Sequence, residues 1–134
     1  MKAIVLTCAM TMVLSGCAIG IKEGDTSPSI TYTIPRHYQL VYLRAENQAI
    51  ECLRGKQSNY DVHADVDPVL QTGVIFVRSP VGAGEVARTD LAAIDPQHTR
   101  VTHTVWGVSP WDAKALRAMK ESIVTDTSMC VAYR

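Results

Sequence analysis

The chain has 134 residues, in which 13 Lys and Arg balance 13 Asp and Glu. That length provides for one domain of ordinary size. The even charge argues against nucleic-acid binding, which needs dense cationic faces, and against a polybasic contact with anionic lipid. Five Tyr, two Trp and one Phe make a core that is modest in aromatic content.

At the amino terminus, Lys2 precedes an apolar run from Ala3 to Leu14. Twelve residues are too few to span a bilayer but suit the apolar region of a secretory signal. The run ends in Leu14-Ser15-Gly16-Cys17, which resembles the lipobox of bacterial lipoproteins. The resemblance implies cleavage before Cys17, a diacylglycerol on its thiol and an acylated new amino terminus. Two or more acyl chains anchor a protein stably where one does not. On this reading residues 1–16 are a signal peptide, residues 17–36 a lipidated flexible tether and residues 37–134 a single domain. Ala18 stands where an Asp would resemble the inner-membrane retention signal, so the resemblance favours the outer membrane. The partners expected are the lipid bilayer, through acylated Cys17, and an envelope protein; no nucleic acid and no cofactor are expected.

Cys8 falls in the signal and Cys17 is used for lipid, leaving Cys52 and Cys130. An even pair in an exported chain reads as a disulfide and fits a periplasmic domain. The alternatives are two free thiols or a redox or metal pair, and neither cysteine has a Cys or His at chelating spacing. Closing so long a loop is worth about 4–5 kcal/mol on the chain-entropy argument.

Along the chain, residues 18–36 are rich in Gly, Ser, Thr and Pro and show no apolar period, as a tether would. Tyr38 to Arg44 is rich in strand formers and reads as a half-buried strand. Ala45 to Arg54 reads either as a helix closed by Gly55 or as a hairpin turning at Glu46-Asn47. From Tyr60 to Val66, apolar residues alternate with Asp61, His63, Asp65 and Asp67, predicting a strand with one wet face. Gly73 to Val77 is continuously apolar, as expected of a central strand covered on both sides. Ser79 to Thr99 reads as a long connector with a helical turn near Leu91 to Ile94, either functional or mobile. Arg100 to Trp106 alternates again, with Val101, His103 and Val105 on one side. A final helix is capped by Ser109, with Pro110 at its first position. It carries Trp111, Ala115, Leu116, Met119 and Ile123 on one face. Cys130 to Tyr133 reads as a closing strand. The fold class is α+β, a small antiparallel sheet with a C-terminal amphipathic helix, for which a ferredoxin-like arrangement is one topology.

Three groups of residues could carry function. Asp61, His63 and Asp65 are weak metal-ligand candidates, since carboxylate and imidazole suit a divalent ion, although a row on one strand equally suits a solvated edge. His98 and His103 lack the spacing of a helical metal motif, Gly82-Ala83-Gly84 lacks the context of a phosphate loop, and no nucleophile motif occurs. Trp106 and Trp111 straddle a turn and are candidates for partner binding, or else for the core. Residues 105–120, Val-Trp-Gly-Val-Ser-Pro-Trp-Asp-Ala-Lys-Ala-Leu-Arg-Ala-Met-Lys, resemble the strand–turn–helix of TonB and TolA C-terminal domains, with the Asp spaced one residue differently. That resemblance implies a periplasmic protein-binding module. The expected function is a non-enzymatic accessory or scaffold lipoprotein of the envelope. A small-ligand or inhibitor-type module with residues 79–99 as its lid is the alternative, and a small hydrolase the third.

Overall fold

A computed structural model describes residues 18–22, 24, 26–82 and 84–130. It contains β1 (Ser29–Ile34), α1 (Tyr38–Cys52), β2 (Asp61–Asp67), β3 (Thr72–Arg78), β4 (Glu85–Asp95), β5 (His98–Val105) and α2 (Ala113–Val124). The sheet is antiparallel throughout, in the order β1-β5-β4-β3-β2. The fold is α+β, as composition and patterning imply. Its topology is not ferredoxin-like. Four consecutive strands form a meander, and α1 carries the chain from one sheet edge to the other.

The stretch expected to be a strand at Tyr38 to Arg44 is the first half of α1. Burial decides this: Tyr38, Val41, Ala45, Gln48, Ala49 and Cys52 point inward at helical spacing, which no strand alternation reproduces. The ring of His37 accepts the N–H of Gln39 (3.4 Å) and opens the helix. The long connector is also overturned. Most of it is β4, joined to β5 through a tight turn in which the Asp95 carboxylate accepts the Gln97 N–H (2.8 Å). A register shift at Val77/Arg78 lets Val86 and Ala87 both face inward, which hides the strand's alternation. β3 is an interior strand, but among the described residues it is covered on one face, since both helices pack on the same side.

The core lies between that face and the helices. Ile75, Val77, Ala87, Leu91, Val101 and Val105 meet Val41, Ala45 and Ala49 of α1 and Met119 and Ile123 of α2. Asp112, rather than Ser109, caps α2 by accepting the Lys114 N–H (3.0 Å), and the Ser109–Pro110 peptide bond before it is cis. At the other end of α2 the Arg36 guanidinium donates to the carbonyls of Ile123 and Val124, supplying a cation where the helix dipole is negative. Cys52 and Cys130 form a disulfide with their Cα atoms 4.8 Å apart, joining the end of α1 to the segment after α2. Cys130 belongs to no strand, and residues 131–134 lie outside the described residues.

Residues 18–36 are not a tether. Ser29–Ile34 is the edge strand β1, and the segment before it is also docked. The Ile21 N–H donates to the Glu85 carbonyl (2.7 Å), Gly20 is buried, and Ile19 packs on the core. A Cβ on Gly84 would lie 1.8 Å from the Ile19 carbonyl oxygen, so only glycine fits beneath this strap. Among the described residues no helix is long and apolar enough to cross a membrane. The lipobox and Cys17 lie outside the described residues.

Candidate interaction face

Both helices lie on one side of the sheet, and among the described residues no element covers the other face. The strand register places His63, Phe76, Arg88, Thr104 and Ser29 in one row across it. The next row is Asp65, Val74, Asp90, Thr102 and Thr31. Phe76 is the aromatic centre of this surface. The His63 ring stacks on it with centroids 5.0 Å apart and an interplanar angle of 16°. The guanidinium carbons of Arg78 and Arg88 stand 5.0 and 5.9 Å from its centroid, within cation–π range.

Arg88 is held by two acids. Its Nε donates to both carboxylate oxygens of Asp90 (3.1 and 2.9 Å), and its Nη1 to both of Glu85 (3.2 and 3.1 Å). These bonds, Asp90 foremost, hold its proton more tightly than usual against a smaller opposing effect of burial. A fixed guanidinium loses little side-chain entropy when a partner docks on it. Beside this cluster runs a shallow groove of about 370 Å³, lined by Asp65, Asp67, Thr72, Val74, Asp90 and Arg100 among others.

The metal candidates lie on this face but do not converge. Asp61, His63 and Asp65 occupy successive outward positions of β2, where the pleat holds them apart. His63 is engaged with Phe76, and the Asp67 carboxylate accepts the N–H groups of Val69 and Leu70 (2.9 and 3.0 Å). Among the described residues no three His, Cys, Asp or Glu side chains form a metal-binding group.

The tryptophans do not form a joint binding surface. Trp111 is 1 % exposed and lies against Tyr60, with ring centroids 5.2 Å apart. Trp106 is half-buried on the edge of the core. The turn between them is closed by bonds from the Gly107 N–H to the Trp111 carbonyl (2.7 Å) and from the Trp111 N–H to the Val108 carbonyl (2.8 Å).

The two C-terminal histidines face opposite sides of the sheet. His98 pairs with Asp95 at the exposed turn (2.9 Å). The bond from Gln97, and then that from His98, draws the Asp95 carboxyl below its ordinary range. His103 points into the core and is 1 % exposed. The Tyr32 hydroxyl lies 2.8 Å from its Nε2 and the Thr89 hydroxyl 2.8 Å from its Nδ1. Hydroxyls can donate or accept, so this pair satisfies either neutral tautomer. Burial, with a smaller push from Lys120, lowers the His103 pKa to about 3. Burial likewise pushes the Tyr32 phenol up. The alternation of β5 already assigns His103 to the dry face. Its partner Thr89 was hidden because β4 carries charges between its inward residues.

The chain matches no protein-family model, and comparison with curated proteins gives no match.

Proposed function

We propose that this protein is a membrane-anchored envelope lipoprotein that serves as a non-enzymatic accessory or scaffold subunit and works through protein–protein contacts. One observation carries the reading. Among the described residues, helices cover the five-stranded sheet on one face, and the other presents Phe76 among ion-paired side chains fixed in place. Such a surface has an aromatic anchor, pre-ordered donors and a polar rim, which are features of protein contact sites. The lipobox supplies the anchor, and the Cys52–Cys130 bond agrees with an oxidising compartment.

Crosslinking in intact cells followed by mass spectrometry tests this. The native chain should capture a dominant envelope protein, Phe76→Ala should capture at least tenfold less, and Cys17→Ser should lose it with the membrane fraction. Capture unchanged in Phe76→Ala would remove this face from the proposal.

A further inference from the structure

The two edges of the sheet are unequal. β2 carries Asp61, Asp65 and Asp67, and charges of that kind keep an edge from pairing with foreign strands. β1 reads Ser-Ile-Thr-Tyr-Thr-Ile, with no charge, proline or glycine. The Val105 N–H donates to the Pro28 carbonyl (3.0 Å), which fixes the phase of the β1–β5 ladder. Hydrogen-bonded and non-bonded pairs alternate in an antiparallel ladder, so Ser29, Thr31 and Thr33 turn their backbone N–H and C=O groups outward. Among the described residues no strand lies beyond them.

Two hollows flank this edge, between β1 and α2. One of about 380 Å³ is lined by Tyr32, Ile34, Lys120 and Val124, and one of about 430 Å³ by Ile30, Leu116, Lys120 and Val124, among others. Lys120 belongs to both, with its ammonium 5.2 Å from the centre of the Tyr32 ring. Arg117 lines the second, where Glu121 is the one acid; Arg36 lines the first but is engaged with the Ile123 and Val124 carbonyls and with Asp126 (3.8 Å), which leaves Lys120 as the cation common to both hollows.

From this we infer that the β1 edge binds an extended segment of a partner protein, added as a sixth strand, with apolar residues at alternate positions and a carboxylate facing Lys120. Main-chain bonds to Ser29, Thr31 and Thr33 supply affinity, and the two hollows and the cations supply selection. Side chains two residues apart on one strand face stand about 7 Å apart, so an added strand reaches both hollows at once. A second copy of this chain fits less well. Its own β1 brings no carboxylate, and its Lys120 and Arg117 would meet like charges. The inference rests on the protein-contact reading but uses a surface separate from the open face.

The test uses the full chain and two fluorescent, amide-capped peptides of eight residues. Both alternate Val and Thr; one has Glu at a central inward position and the other Lys. The Glu peptide should bind at least tenfold more tightly than the Lys peptide, by anisotropy. Thr31→Pro removes an outward N–H, and with it the hydroxyl contact to Thr102 (2.9 Å) but no backbone bond to β5, and should abolish binding. Lys120→Gln, which does not depend on the backbone tolerating proline, should reduce the preference to threefold or less. Equal binding of the two peptides, no binding at millimolar concentration, or binding unchanged in Thr31→Pro would overturn the inference. So would sedimentation as a dimer that Thr31→Pro dissociates, because a second copy would then be the occupant. Crosslinking in cells separates the two proposals. A partner captured equally by the native chain and by both variants overturns the edge alone, whereas no partner with any of them overturns the protein-contact reading as well.

Discussion

Protonating His103 would place a charge among Tyr32, Thr89 and the nearby Lys120, in a site closed to water. In the folded protein its pKa is about 3, below the ordinary 6.5. As pH falls, the unfolded chain therefore takes up the proton first. The neutral form's contribution is complete above pH 6.5 and is lost progressively between pH 6.5 and 3. Each pH unit in that window costs about 1.4 kcal/mol. Between pH 7 and 4.5 thermal unfolding should show a loss of about 2–3 kcal/mol that is absent in His103→Gln. The aromatics divide just as sharply. Trp111→Ala empties a closed site and should cost about 3–5 kcal/mol in denaturant unfolding. Phe76→Ala removes a partly exposed ring and should leave melting within a few degrees while lowering partner capture at least tenfold.

Elements were legible wherever one periodicity dominated. β2 and β5 alternate cleanly, and the apolar face of α2 through Ala115, Met119 and Ile123 stands out in the sequence. α1 was obscured because Tyr38, Val41 and Tyr42 favour strands in isolation, yet a helical face is what the sheet buries. β4 was obscured because Arg88 and Asp90 point to the open face and the inward residues nearest Arg88, Ala87 and Thr89, are small or polar. The open face is obscured with it, since Arg88 and Asp90 of β4 complete the cluster around Phe76. The cap of α2 moved from Ser109 to Asp112, whose carboxylate reaches the Lys114 N–H. Asp112→Ala should then cost about 1 kcal/mol, measured by chemical denaturation, and Ser109→Ala much less. The strap is the other element with a sharp test. In Gly84→Ala the new methyl collides with the Ile19 carbonyl, so the Ile21 amide should lose its protection from hydrogen exchange while the amides of β3 keep theirs.

Taken whole, the molecule is a sheet with two helices that touch along one side, and a covalent bond from the end of α1 to the segment that follows α2. The bond spans 78 residues of chain and restricts the unfolded ensemble accordingly. Replacing Cys52 and Cys130 together with Ser should lower stability by about 4–5 kcal/mol, read from the shift in denaturant midpoint. The strap has a further meaning at this scale. Ile21 is pinned to the start of β4 only four residues after Cys17. Even fully stretched, four residues cover about 14 Å. An acylated Cys17 would thus give the domain a short leash, holding the Glu85 end of the sheet close to the lipid headgroups and denying it any reach across the envelope. On that reading its partners would be proteins that stand in, or reach, the same leaflet.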